Sequence, residues 1–266
     1  MTIPASLKEG LERFGFRFAC GGVHTARTMM LSELEMLLEY LPDPNSPMDE
    51  FVQAIEEYNC LGKRSGRTRI LTRRHLVELY SLDPGITLFH ALRYLWQRDP
   101  EGRPLIAFLC AFARDPLLRD SAPFVLNMPV GQLYSREALE EFIEDKYPGR
   151  FSPATLKSVA QNLASSWTQA GHFIGRRKKI RSKPKVTSGA SAYALLLGFL
   201  TGSRGELLFE TNYTKILDAP TESSIELAEV ASSRGWIVFK RVGNVIEVLF
   251  PAILTEQEKE WIREQN

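Results

Sequence analysis

The stretch from Ser152 to Gly171 constrains the fold more than any other part of the chain. Ser152 carries the short side-chain oxygen that caps a helix N-terminus, and Pro153 stands at the first helical position, where a missing N–H costs nothing. Leu156, Val159, Ala160, Leu163, Ala164 and Trp167 then recur at the i, i+3, i+4, i+7 spacing of one buried stripe, and Gly171 stops the run. This spacing predicts a helix over residues 154–170, with Trp167 in the core. The opposite face offers Thr155, Lys157, Ser158, Gln161, Asn162 and Ser165, with no carboxylate among them. Directly after it, seven of the ten residues 176–185 are basic and none is acidic: Arg176, Arg177, Lys178, Lys179, Arg181, Lys183 and Lys185. Phe173, Ile174, Ile180 and Val186 suit short strands around that basic tip. Upstream, Ser135 opens a helix with Glu137 in its first turn, and Pro148-Gly149 closes it. Helix, turn, helix and basic hairpin is the order of a winged helix-turn-helix.

The remaining chain reads as mainly helical. Leucines at helical spacing predict a helix over residues 31–41, ended by the proline-rich loop 42–47. Phe51, Val52, Ile55 and Tyr58 share a face of a helix over residues 48–59. A basic stretch follows over residues 61–74, where Lys63, Arg64, Arg67, Arg69, Arg73 and Arg74 meet no acidic residue. Thr72 is a candidate cap for a helix through residues 75–82. Residues 87–97 and 104–114 are apolar on both faces and predict buried helices. Beyond 188, helices are expected over 190–200, with Tyr193 and Phe199 in the core, over 206–217, and over 223–233. The strand-like runs 236–241 and 245–250 are joined by Val242-Gly243-Asn244. Glu222, Glu226 and Glu229 make the helix before this second hairpin acidic, so it suits a protein partner or a structural role. The expected organisation is an N-terminal helical domain (1–115), a winged helix-turn-helix domain (116–187) and a winged-helix-like C-terminal domain (188–266), mainly α with short β-hairpins.

Composition excludes several classes. At 266 residues and 44% hydrophobic, the chain is long and apolar enough for a sizeable core. Cys20, Cys60 and Cys110 lie far apart without a CxxC pair, which fits reduced thiols better than a disulfide framework or zinc finger. The opening MTIPASLKEG lacks the apolar core of a signal peptide, and the apolar run 190–200 is about half a membrane span. A cytoplasmic protein away from the membrane is therefore expected. His24, His75, His90 and His172 are scattered, no P-loop or GxSxG elbow occurs, and Gly21-Gly22 before His24 reads as a tight turn. No catalytic residue, metal site or cofactor is expected.

The formal net charge is only +1, so the case for a polyanionic partner rests on segregation of charge rather than its sum. Affinity for duplex DNA comes mainly from Lys and Arg that displace counterions, and groove contacts come from short polar side chains on a helix. The face from Thr155 to Asn162 supplies the second. Residues 176–185 supply a phosphate clamp where a wing would reach the backbone, and residues 63–74 a second clamp.

The segments LGKRSGRTR at 61–69, LFHALRYL, LIAFLCAFARDPLLRD and FSPATLKSVAQNLASSWTQAG with its basic tail resemble the BREX phage-exclusion accessory protein A family, over roughly residues 48–185. The resemblance implies a helical protein with winged-helix elements that binds DNA without catalysis and works with other BREX components in anti-phage defence. By position it implies DNA contacts at Lys63, Arg64, Arg67 and Arg69 and over 176–185. Two competing readings are a protein–protein adaptor without direct nucleic-acid binding and a nuclease whose carboxylates are distant in sequence.

Overall fold

Two helices with almost no polar surface organise the molecule. In the computed structural model, which describes residues 5–18, 21–243 and 245–264, every side chain from Leu105 to Arg114 is buried, as are nearly all from Ser188 to Leu200. Such all-round apolar sequences must be surrounded by other elements. The chain runs α1 (Ala5–Arg13), α2 (Leu31–Tyr40), α3 (Met48–Glu56), α4 (Gly66–Tyr80), α5 (Thr87–Arg98), α6 (Arg103–Arg114), α7 (Pro116–Asp120), α8 (Ala122–Leu126), α9 (Arg136–Lys146) and α10 (Pro153–Gln169). A hairpin of β1 (Phe173–Ile174) and β2 (Ile180–Arg181) comes next, then α11 (Ser188–Leu200), α12 (Asn212–Lys215) and α13 (Thr221–Ser233). A second hairpin, β3 (Val238–Val242) with β4 (Val245–Leu249), precedes α14 (Glu256–Glu264). The fold is mainly helical with two small antiparallel hairpins.

Helices α5, α6 and α11 pack on one another, and α4 and α10 cover α6. The buried residues form one continuous cluster from Leu11 to Ile262. Asp99 locks the centre: its carboxylate accepts from Gly102 N (3.2 Å) and from Gly189 N at the start of α11 (2.8 Å). A Cβ at either glycine would lie 2.4 Å from that carboxylate, so a side chain at either position would push Asp99 off its two N–H donors.

Several expected elements differ in the structure. The basic stretch 61–74 is not a connector before a helix capped by Thr72. Ser65 accepts from Thr68 N (3.2 Å) and starts α4 seven residues earlier, while Thr72 is buried inside it. The helix expected over 206–217 divides into a 3₁₀ turn (Gly205–Glu210) and the short α12, because Thr211 adopts an extended backbone and caps α12. Helices α1, α7, α8 and α14 carry signals the sequence reading passed over. Cys20, Asn244 of the second hairpin's turn and the first four residues lie outside the described residues.

Candidate nucleic-acid interface

Helix α10 forms as its sequence dictates. Ser152 Oγ accepts from Thr155 N (3.2 Å), and Gly171 takes φ +92° to end the helix. Val159, Leu163 and Trp167 are fully buried, each contributing roughly 1.5–3 kcal/mol of burial. The Trp167 ring packs tilted against Phe108, centroids 4.6 Å apart, and its Nε1 donates to Ser121 Oγ, so it belongs to the core. Helix α9, capped by Ser135 through Ala138 N (3.1 Å), packs against α10 and buries Leu139 and Ile143.

The hairpin after α10 acquires a third, strand-like neighbour. Gly131 N donates to Arg181 O, Arg181 N to Gln132 O and Tyr134 N to Lys179 O, setting Leu133 opposite Ile180. The extended segment ahead of α9 thus pairs with β2, which pairs with β1. Gly175 takes φ +95°, and a Cβ there would lie 2.1 Å from Lys178 O, so this turn needs glycine to bring the basic tip round.

The seven cations of 176–185 have different fates. Arg176, Arg177 and Lys178 at the tip are exposed and have no carboxylate partner among the described residues, and the same holds for Lys183. Lys179 is half-buried and donates to Thr168 Oγ1 (2.6 Å), which ties the hairpin to α10; burial lowers its pKa. Lys185 pairs with Glu101 (2.8 Å) at an exposed site. Arg181 is 2% exposed and leaves the candidate contact set. Its guanidinium donates to the carbonyls of Val125, His172 and Ser182 and pairs with Asp218 (2.6 Å), rooting the hairpin in the interior.

The polar face of α10 also divides. Lys157 and Gln161 are exposed, with Thr155, Ser158 and Ser165 partly so, and no acidic side chain lies among them. Ser158 Oγ donates back to Ala154 O. Asn162 faces inward: its Nδ2 donates to His24 O (3.0 Å).

Three of the six cations of residues 63–74 are paired with carboxylates. Lys63 pairs with Glu33 (3.0 Å), Arg73 with Glu56 (2.7 Å) and Arg74 with Glu78 (3.5 Å), while Arg69 donates to Glu56 O. Arg64 and Arg67 remain exposed without a carboxylate partner among the described residues.

A buried polar network behind α10 escaped the sequence reading. His24 Nδ1 donates to Asp115 Oδ2 (2.9 Å), and its Nε2 meets Ser166 Oγ at 2.8 Å. Burial presses the Asp115 carboxyl upward, but His24 and the N–H groups of Leu118 and His24 outweigh it and hold the pKa below the ordinary value. Serine, histidine and aspartate stand here in the atom order of a nucleophile triad. Yet Ser166 and His24 are 0% exposed, and the hydroxyl also accepts from Met29 N and donates to Asn162 O. With Gln169 accepting from Leu31 N, the network clamps residues 24–31 along one flank of α10. The spacing of Asn162, Ser166 and Gln169 along one helix edge was the signal available for it.

Among the described residues there is no group of three or more His, Cys, Asp or Glu side chains that could hold a metal, and no helix long and apolar enough to cross a membrane. Cys60 and Cys110 are free thiols, and burial pushes the Cys110 thiol up to about 11. Compared with known proteins, the chain matches no protein-family model and no curated protein.

Proposed function

We propose that this protein binds duplex DNA through α10 and the hairpin that follows it, a winged helix-turn-helix in which α10 approaches the major groove and the hairpin tip meets the backbone. The observation that carries the reading is the exposed tip of Arg176, Arg177 and Lys178, free of carboxylate partners among the described residues, beside an α10 surface with no acidic residue. Such a surface attracts a polyanion on both counts. The strand-like segment at Gly131–Tyr134, paired with β2, supports the winged arrangement. Few base-reading side chains point outward, so affinity is mainly through phosphates. By its resemblance over residues 48–185, the protein acts as a non-catalytic, cytoplasmic accessory component of a BREX anti-phage system, alongside other BREX components.

A salt titration of binding to duplex DNA, single strands and RNA tests this. Duplex binding should weaken linearly in log–log form, with a slope of about −0.9 per phosphate contacted. Absence of binding to any of the three at low salt would sink the reading. One observation favours the second role, as an adaptor. Leu133, Ile180 and Ile174 lie side by side across the small sheet and are 56%, 37% and 56% exposed, an apolar row suited to a protein partner. Co-purification with a partner that covers this row, without a gel shift, would favour the adaptor alone.

A further inference from the structure

The clamp on α10 brings one more cation to this interface. At about 100° per residue, Lys157, Thr168, Gln161, Ser165 and Ser158 share one arc of the helix. At one edge of this arc Thr168 meets Lys179 of the hairpin. At the other edge Gln169, Asn162 and Ser166 hold the backbone of residues 24–31. The hairpin and the clamped segment therefore flank the exposed arc from opposite sides.

Arg27 lies within the clamped segment. Its own N–H is fixed to Val23 O (2.8 Å), so its backbone is held. Its side chain is exposed, its Nη1 donates to the neighbouring Ala26 carbonyl (3.1 Å), and no carboxylate among the described residues pairs with it. The turn at Val23–Thr25 also packs on α4, close to Arg74 and His75. A guanidinium is thus presented from a rigid backbone across α10 from the hairpin tip.

We infer that Arg27 is a second phosphate contact on the far side of α10, so that a duplex seated on the helix is held through its backbone on both flanks. The inference rests on the proposal that α10 and the hairpin bind duplex DNA. Contacts on two flanks would set the register of the helix in the groove, a role that phosphate contacts serve without reading sequence.

Four proteins test it: wild type, Arg27→Glu, Arg27→Lys, and the triple variant Arg176→Glu/Arg177→Glu/Lys178→Glu. Each is titrated with a short mixed-sequence duplex at several salt concentrations, with thermal melting as the check on folding. Arg27→Glu should weaken binding about 5- to 10-fold and reduce the salt slope by about 1, with unchanged Tm, and Arg27→Lys should restore most of the affinity. If Arg27→Glu binds like wild type while the triple variant loses binding, the inference is overturned and the interface stands. If the triple variant also binds like wild type, or wild type does not bind, the interface reading fails and takes the inference with it.

Discussion

Residues 61–74 and 176–185 read alike as sequence, each dense in Lys and Arg and free of acidic residues, yet they end in different electrostatic states. In the first, Lys63 ahead of α4 and Arg73 and Arg74 within it meet Glu33, Glu56 and Glu78, three carboxylates contributed by α2, α3 and α4 itself. In the second, the glycine turn at Gly175 presents Arg176, Arg177 and Lys178 without a carboxylate partner among the described residues, while Arg181 at the root pairs with Asp218 and Lys185 beyond it with Glu101. The cations of the first segment that lie against α2, α3 or the next turn of α4 find carboxylates there, whereas Arg64 and Arg67 stay exposed, as does the whole hairpin tip. Local charge density in the sequence therefore does not by itself tell which cations stay unpaired; that depends on where the backbone carries them.

Four experiments probe that contrast. The largest effect is expected at the buried root: Asp218→Ala leaves the Arg181 charge almost fully buried without its carboxylate, and should cost about 3 kcal/mol in chemical denaturation. A loss no larger than that of an exposed pair would mean the hairpin is not anchored there. Next is the tip: reversing Arg176, Arg177 and Lys178 together should reduce duplex affinity about 100-fold at low salt, with stability unchanged.

A pH titration comes third. Burial, aided by Arg181 and opposed by the hydrogen bond to Ile216 O, pushes His172 at the base of the hairpin down to about 3. The folded state then stays neutral at this site while the unfolded chain takes up a proton below its ordinary value near 6.5. Stability from this group is full above that value and falls as pH drops from about 6.5 toward 3, by at most about 1.4 kcal/mol per pH unit. Asp115, whose folded pKa is lowered, adds a further loss as pH falls below the ordinary carboxylate range. His172→Gln should flatten the upper part of this dependence, and an unchanged profile would show that His172 is protonated in the folded state. The smallest effect belongs to the first segment. Lys63→Ala with Arg73→Ala should change duplex affinity less than about 3-fold and stability by about 0.5 kcal/mol per pair. A loss as large as that of the tip variant would reverse the comparison.

Much of the local structure was legible. The caps at Ser135 and Ser152, the stripe ending at Trp167 and the stop at Gly171 stand where their chemistry places them, because each acts within a few residues. The same local logic failed at Thr72, where a residue able to cap a helix was needed inside one, and at Thr211, where a cap interrupted an otherwise helical run. Of the candidate contact residues, the Arg176–Lys178 tip and Lys157 proved exposed. Asn162 and Arg181 looked equivalent to their neighbours until the fold supplied His24 and Asp218 as partners.

The sequence by itself determined where α9 and α10 start and stop, that the stripe ending at Trp167 is buried and that a basic hairpin follows α10, since these depend on hydrogen bonds and side-chain spacing within one or two turns. Only the tertiary structure decided which charges remain free. Lys63 finds its carboxylate 30 residues away, Arg73 at 17 and Arg181 at 37, and Coulomb attraction at such separations exists only after the chain has folded those groups to within 3 Å or so of each other.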